Sequence, residues 1–332
     1  MNQFDLRRRA IVAFGMGALA PLSSSSLAQQ PPKVWRIGFL GVGSATDMAS
    51  RVEGFRAGLR DFGYVEGRNV VIEYRWAEGN NDRLPELAAE LVRLNVDLIL
   101  THGSVAPRTV KRATSTIPIV QAAGGDPVLY GIAASLGHPG GNVTGGTYFS
   151  AELVAKRIEI LKEINPRVTQ VAILVALHEP ESTKATMELA VPAAKNLKLG
   201  LTSFAVRDPA EFEHTFAAIA KQRVGAIALT EHVILNLNVK TTAALALKHR
   251  LLSAGNPEFA KAGGLLGYGV NIPGMFRRSA YFIDRIFKGA KPADLPFERP
   301  TKFDFVVNMK TAKALGIKLP GAILVQATRV IE

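Results

Sequence analysis

From residue 34 onward, apolar positions alternate between two periods. VWRIGFL at 34–40 is a short run of the kind that forms a buried strand, and the stretch 48–62 then carries Val52, Phe55, Leu59 and Phe62 at helical spacing. VVIEYRW at 70–76 alternates with period two, setting Ile72, Tyr74 and Trp76 on one face and Val71, Glu73 and Arg75 on the other. A helix is expected from Asp82, with Leu84, Leu87, Leu91 and Leu94 on its inner face. VDLIL at 96–100 is a continuous apolar run but for Asp97, as in a strand covered on both faces. It breaks at Thr101-His102-Gly103-Ser104, and a short helix through Lys111 leads to the strand IPIVQAA. At Gly124-Gly125-Asp126-Pro127 the chain is expected to leave a first lobe.

The pattern then restarts. Helices are predicted over 152–163, 182–196, 209–222 and 237–250, interleaved with strands at 171–177, 201–206 and 226–230. A strand-like 264–270 precedes a helix over 273–287, which stops at Lys288-Gly289. Strand and helix in regular alternation predict βαβ units and parallel sheets. The fold class read from this is α/β, with two copies of one doubly wound design.

The N-terminus changes the picture of where the protein works. Arg7, Arg8 and Arg9 precede an apolar run at 10–22, and Ser26-Leu27-Ala28 presents the small residues of a cleavage site, so 1–28 reads as a signal peptide. The run is shorter than the roughly 20 residues of a permanent span. Arg8-Arg9 resembles a twin-arginine signal, Asp5-Leu6 is not the usual lead-in to one, and the general secretory route stays equally open. With no cysteine for disulfides or for a lipid anchor, the exported chain is expected to be a soluble periplasmic protein stabilised by its cores. The net charge of +12 suits an anionic partner, but Lys and Arg are scattered among acids with no dense basic run beside aromatics, which argues against nucleic acid.

In open parallel sheets ligands bind beyond the carboxyl ends of the strands. Those ends here are 41–46, 101–104, 123–126, 178–179, 230–231 and 268–269, and most lead into helices, each such end favouring an anion by about 0.3–1 kcal/mol. Gly41-Val42-Gly43 starts a dinucleotide fingerprint, but Thr46 stands where its third glycine belongs. There is no Gly-x-Ser-x-Gly elbow for a hydrolase. His102 beside Ser104 is the best general base if the chain is an enzyme, and otherwise a structural or ligand-bonding histidine. His138 reads as a loop residue, and His214, His232 and His249 as solvated residues on or near helices. No helical His pair flanks a Glu, so neither a metal nor a cofactor is expected. Asn142-Val143-Thr144 is formally a glycosylation sequon, but its Gly-rich surroundings read as a crossover segment, either a hinge or an ordinary loop.

Several blocks carry a resemblance: GLRDFGYVEGRNVVIEYRWAEGNNDRLPELAAELVRLNVDLIL, ATSTIPIV, DPV, ASLGHPGGNVTG, AKRIEILKEINP, AGGLLGYGVN and FRRSAYFIDRIFKGAKPADLPFERPTKFDFVVNMKTAKALGI. In order and over nearly the whole exported chain, these resemble the periplasmic substrate-binding proteins of ABC transporters with a type 1 periplasmic-binding fold, some of which bind aromatic amino acids. The resemblance implies two Rossmann-like lobes, joined by three hinge crossings, with a ligand cleft between them. One lobe would comprise 33–126 plus about 272–290, and the other about 145–270 plus about 300–332. It implies no catalysis: a carboxylate-bearing ligand would be captured by hinge closure and passed to an inner-membrane permease, the receptor being monomeric. A periplasmic sensor for a signalling receptor, or less readily an exported hydrolase or isomerase, are the rivals.

By position, Ser44, Thr46 and Ser104, with neighbouring backbone N–H groups, would meet the ligand carboxylate, and Thr101 and Gly103 would line the same ligand site. Asp126 would meet an amino group, His178, Glu179 and Glu231 would close from the second lobe, and Tyr268 would stand at the cleft edge. The loop at 103–107 departs from the family pattern, as do His178-Glu179-Pro180 and Pro257-Glu258-Phe259, which leaves the ligand open. Tyr74 and Trp76 are expected to pack under flanking helices.

Overall fold

The computed structural model describes residues 33–332; the signal peptide read at 1–28 lies outside them. Beyond its exposed Arg36, Trp35–Gly41 (β1) is apolar and buried because it is an inner strand: it pairs in parallel with Val70–Trp76 (β2) on one side and Leu98–Thr101 (β3) on the other. Ile119–Gln121 (β4) and Val143–Gly145 (β5) complete an all-parallel sheet of order β2-β1-β3-β4-β5. Ala49–Asp61 (α1) packs on one face, where Ile37, Phe39, Phe55 and Leu59 meet, while Leu84–Arg93 (α2) and Val105–Ala113 (α3) cover Leu40 and Ile99 on the other.

The second sheet repeats the design. Gln170–Ala176 (β6), Gly200–Val206 (β7), Ala226–Leu229 (β8), Leu252–Gly255 (β9) and Leu266–Gly269 (β10) follow the order β7-β6-β8-β9-β10, the same winding as the first. Asp304–Asn308 (β11) is then added antiparallel, and Arg329–Ile331 (β12) parallel to it at the edge. Successive residues of β6 point to opposite cores. Ile173 faces Ser150–Ile164 (α4) and Pro180–Asn196 (α5), while Leu174 faces Phe212–Lys221 (α6) and Val239–Lys248 (α8).

Two readings of the sequence are corrected. The first crossing is not at Gly124–Pro127: the chain returns through a loop to add β5 to the first sheet and crosses only at 146–149. A three-residue strand in a Gly-rich stretch has too few positions for its period to be visible. The helix expected over 237–250 is two, Val233–Leu237 (α7) and α8, divided at Asn238, whose side-chain amide donates to the Ile234 carbonyl while its own carbonyl accepts from Thr242. The helix Ile272–Phe287 (α10) returns from the second sheet to lie on α1. The second and third crossings flank α10, and the third is pinned to the first: Glu298 N–H donates to the Gly145 carbonyl and Thr147 N–H to that of Glu298, both at 2.9 Å.

Candidate functional site

A doubly wound sheet splays where consecutive strands part to opposite sides, and ligands bind at the carboxyl end of that switch point. In the first sheet it lies between β1 and β3, and in the second between β6 and β8. The two are built alike. Thr101 donates its hydroxyl to the Leu40 carbonyl, and the next residue, His102, accepts the Val42 N–H at Nε2 (3.1 Å). Thr230 donates to the Leu174 carbonyl, and His232 accepts the Ala176 N–H at Nδ1 (3.1 Å). Each histidine thus seals a backbone donor that the diverging strands leave open. An accepting Nε2 requires neutral His102 with its proton on Nδ1. Burial, aided by the nearby Arg51 charge, agrees by pushing its pKa down to about 3. His232 is therefore buried, which corrects the solvated position expected for it.

The two switch points face each other. Val42, His102 and Val105 of one lobe and Ala176, Glu179 and Val233 of the other wall a cavity of about 70 Å³. Adjoining it past His102 is a crevice bounded by Arg51, Tyr148 and Asn236. Two tyrosine hydroxyls tie the walls: Tyr130 donates to Glu179 Oε2 at 2.9 Å, and Tyr148 to the Glu231 carbonyl at 3.2 Å. Gly103 has φ +76°, and a Cβ there would stand 2.7 Å from Val233 Cγ2, so glycine lets the lobes meet.

The expected site residues divide. Gly103, His178, Glu179 and Glu231 come to this interface, and Ser104 is buried beside Gly125 and Tyr130. Glu231 carries a buried ion pair to Arg157, whose guanidinium also holds the Leu229 and Tyr268 carbonyls. The rest are placed elsewhere. The Ser44 hydroxyl is closed on Asp47 (2.6 Å) in a turn, and Thr46 is exposed. Thr101 is used between strands. Asp126 Oδ1 accepts the Val128 N–H at 2.8 Å and caps its own turn. The Tyr268 ring stacks on Phe303 with Phe305 of the antiparallel β11 beside it, in a recess it shares with Tyr148 and Phe149. For Ser44, Thr101 and Asp126 the cause is shared: small polar residues at strand ends satisfy local groups before they can serve a ligand.

Tyr74 and Trp76 stack on each other at 5.5 Å and against Phe39, in the core of the first lobe. Arg51, Tyr130, Tyr148 and Asn236 were not singled out from the sequence. Arg51 had a signal: three residues after Met48 and one before Val52, it is a cation on the apolar face of α1. Among the described residues no His, Cys, Asp and Glu group has metal-binding geometry, and no helix is long and apolar enough to cross a membrane.

The family model for ABC transporter substrate binding proteins matches residues 40–331. A tyrosine-binding protein of Clostridioides difficile is 22% identical over 267 residues, covering 80% of this chain and 76% of that one. Among solved structures, an ABC domain in complex with L-Trp from Streptococcus pneumoniae superposes with a TM-score of 0.81 at 26% identity, covering 89% of this chain and all (100%) of that one. A conserved domain protein from Vibrio cholerae gives 0.84 at 25% identity, with 90% and 100% covered.

Proposed function

This chain belongs to the ABC transporter substrate binding protein family, and from that premise we propose that it is the exported solute receptor of an ABC importer. It takes a small carboxylate-bearing ligand, an amino acid or aromatic acid, between its lobes, closes about the three crossings and hands it to an inner-membrane permease. The observation that carries the reading is the pair of matched switch points opening into one space, since that is where doubly wound sheets offer backbone donors and helix N-termini to an anion. The L-Trp complex and the tyrosine-binding relative support an amino acid as the ligand class.

The cavity of about 70 Å³ is far below the roughly 300–1,000 Å³ of ordinary ligand sites, so the lobes must part to admit such a molecule. The tyrosine ties at Glu179 and Glu231 are the contacts that parting breaks. Micromolar capture corresponds to about −8.2 kcal/mol, within reach of a few buried polar contacts and one apolar group. The test is a thermal-shift and calorimetric screen of the protein lacking its leader against the proteinogenic amino acids and aromatic carboxylates, with small-angle scattering on any hit. Saturable binding at one per chain with a smaller radius of gyration is the expected result. Absence of binding across the whole set would overturn the reading.

A further inference from the structure

Arg51 is a buried cation in want of an anion. It stands in the first turn of α1 on the face that carries Met48, Val52 and Phe55 inward, and only 8% of it is exposed. Its guanidinium has five N–H donors but, among the described residues, meets only the Met48 sulfur at 3.2 Å and the Asn236 carbonyl at 3.5 Å. Among the described residues no carboxylate lies within ion-pair distance of it. Burying a guanidinium on such terms is unfavourable, and burial accordingly lowers its proton affinity. Arg51 nonetheless stays on the crevice wall, beside His102, Tyr148 and Asn236.

The other lobe holds the opposite deficit. Glu231 commits Oε1 to Arg157, and its Oε2 is buried with no partner among the described residues. Glu258, in the first turn of Pro257–Lys261 (α9), reaches Lys261 at 3.7 Å through Oε1, while its Oε2 is likewise buried and unpartnered. Both carboxylates are close enough to act on the Arg51 charge. They are tied to the same wall through two asparagines. Asn236 donates to the Glu231 carbonyl at 3.0 Å, and Asn256, which caps α9, donates to Asn236 Oδ1 at 2.6 Å.

We propose that these groups form a zwitterion clamp: Arg51 takes the ligand's carboxylate from the first lobe, Glu231 and Glu258 take its ammonium from the second, and the ligand class is therefore α-amino acids. The inference rests on the reading of the cleft as the solute site. A free acid would leave the two carboxylate oxygens unmet, and an amine would leave Arg51 unmet. A molecule that carries an ammonium and a carboxylate on one carbon satisfies the three deficits together. The bland alternative is that Arg51 is a tether between lobes through the Asn236 carbonyl. It predicts a different stability: removing a tether lowers the melting temperature of ligand-free protein, whereas removing an unpaired buried cation leaves it unchanged or raises it.

The experiment measures wild type, Arg51→Gln, Arg51→Lys and Glu258→Gln by calorimetry and thermal shift with two compound sets: L-tryptophan, indolepropionate and tryptamine, then L-leucine, isocaproate and isoamylamine. The remaining proteinogenic amino acids are screened on wild type. Wild type is expected to bind an amino acid better than either single-charge relative. Arg51→Gln is expected to weaken amino acid and acid by roughly 100-fold or more, with the amine and the ligand-free melting temperature unaffected. Glu258→Gln should weaken amino acid and amine but not the acid. Equal losses for all three members of a set, no loss, or a lower ligand-free melting temperature in Arg51→Gln that Arg51→Lys restores would overturn the clamp and leave the receptor reading standing. Wild type that binds the acids but no amino acid would do the same, and binding of nothing would remove both.

Discussion

His102 joins structure to chemistry through one nitrogen. Its Nε2 is used by the Val42 N–H, so protonating it would expel that bond and place a charge beside Arg51. In the unfolded chain a histidine takes up its proton near pH 6.5, whereas in the fold burial holds this one to about 3. The stability this provides is complete above about pH 6.5 and is lost as pH falls toward about 3, by roughly 1.4 kcal/mol per pH unit. Denaturant titrations at about pH 7, 5.5 and 4 should show this acid limb in wild type. It should be flatter in His102→Gln, whose amide oxygen can still accept from Val42. An identical limb in the two proteins would mean that His102 titrates freely within the fold.

At the level of helices, the contact that holds the two ends of the first lobe together is α1 on α10. It depends on Gly54 and Gly58, one turn apart on α1: a Cβ at Gly54 would come within 2.5 Å of the Pro273 carbonyl oxygen, and one at Gly58 would overlap that of Arg277. Backbones approach this closely only where side chains are absent. Helix propensity alone favours alanine over glycine by about 1 kcal/mol. Gly58→Ala is nevertheless expected to destabilise the protein by about 1–3 kcal/mol, because the overlapped atom is backbone and the helices must separate. A rise in the chemical denaturation midpoint would show that α10 can slide without cost. The same glycines explain how a helix arriving from the second lobe completes the first.

For the molecule as a whole, the balance between parted and closed lobes is set by few buried polar ties. Tyr130 Oη to Glu179 is one, and nearby burial together with the Glu179 charge pushes the tyrosine pKa upward, so the hydroxyl keeps its proton throughout the working range. Tyr130→Phe leaves Glu179 buried without that donor. Such a loss is worth about 1–3 kcal/mol, so apparent affinity for any cleft ligand should fall roughly 5- to 150-fold. Small-angle scattering should show a larger radius of gyration before ligand is added, with the denaturation midpoint little changed. On the far side of the crossings, the two-fold Arg278 to Glu298 bond joins α10 to the strand-like third crossing. Glu298→Gln should alter the scattering profile while leaving the cores of both lobes intact.

The alternation of apolar runs was enough to specify an α/β chain in two similar halves, because continuous strands and amphipathic helices of this length have unambiguous periods. The blocks around 59–100 and 277–316 likewise carried the family resemblance, and the strand ends at 101–104 and 230–231 marked where a cleft would form. The strand β5 and the true first crossing were illegible, since three residues cannot display a period. The division of labour among strand-end residues was equally hidden. Ser44, Thr101 and Asp126 spend their polar atoms on neighbouring backbone, and that choice depends on turn geometry that residue type leaves undetermined. Arg51, Glu231 and Glu258 are 180 or more positions apart in the chain where they cross between lobes, and nothing in the sequence links them. Their significance arises from burial and from missing partners, which exist only once the two sheets are folded face to face.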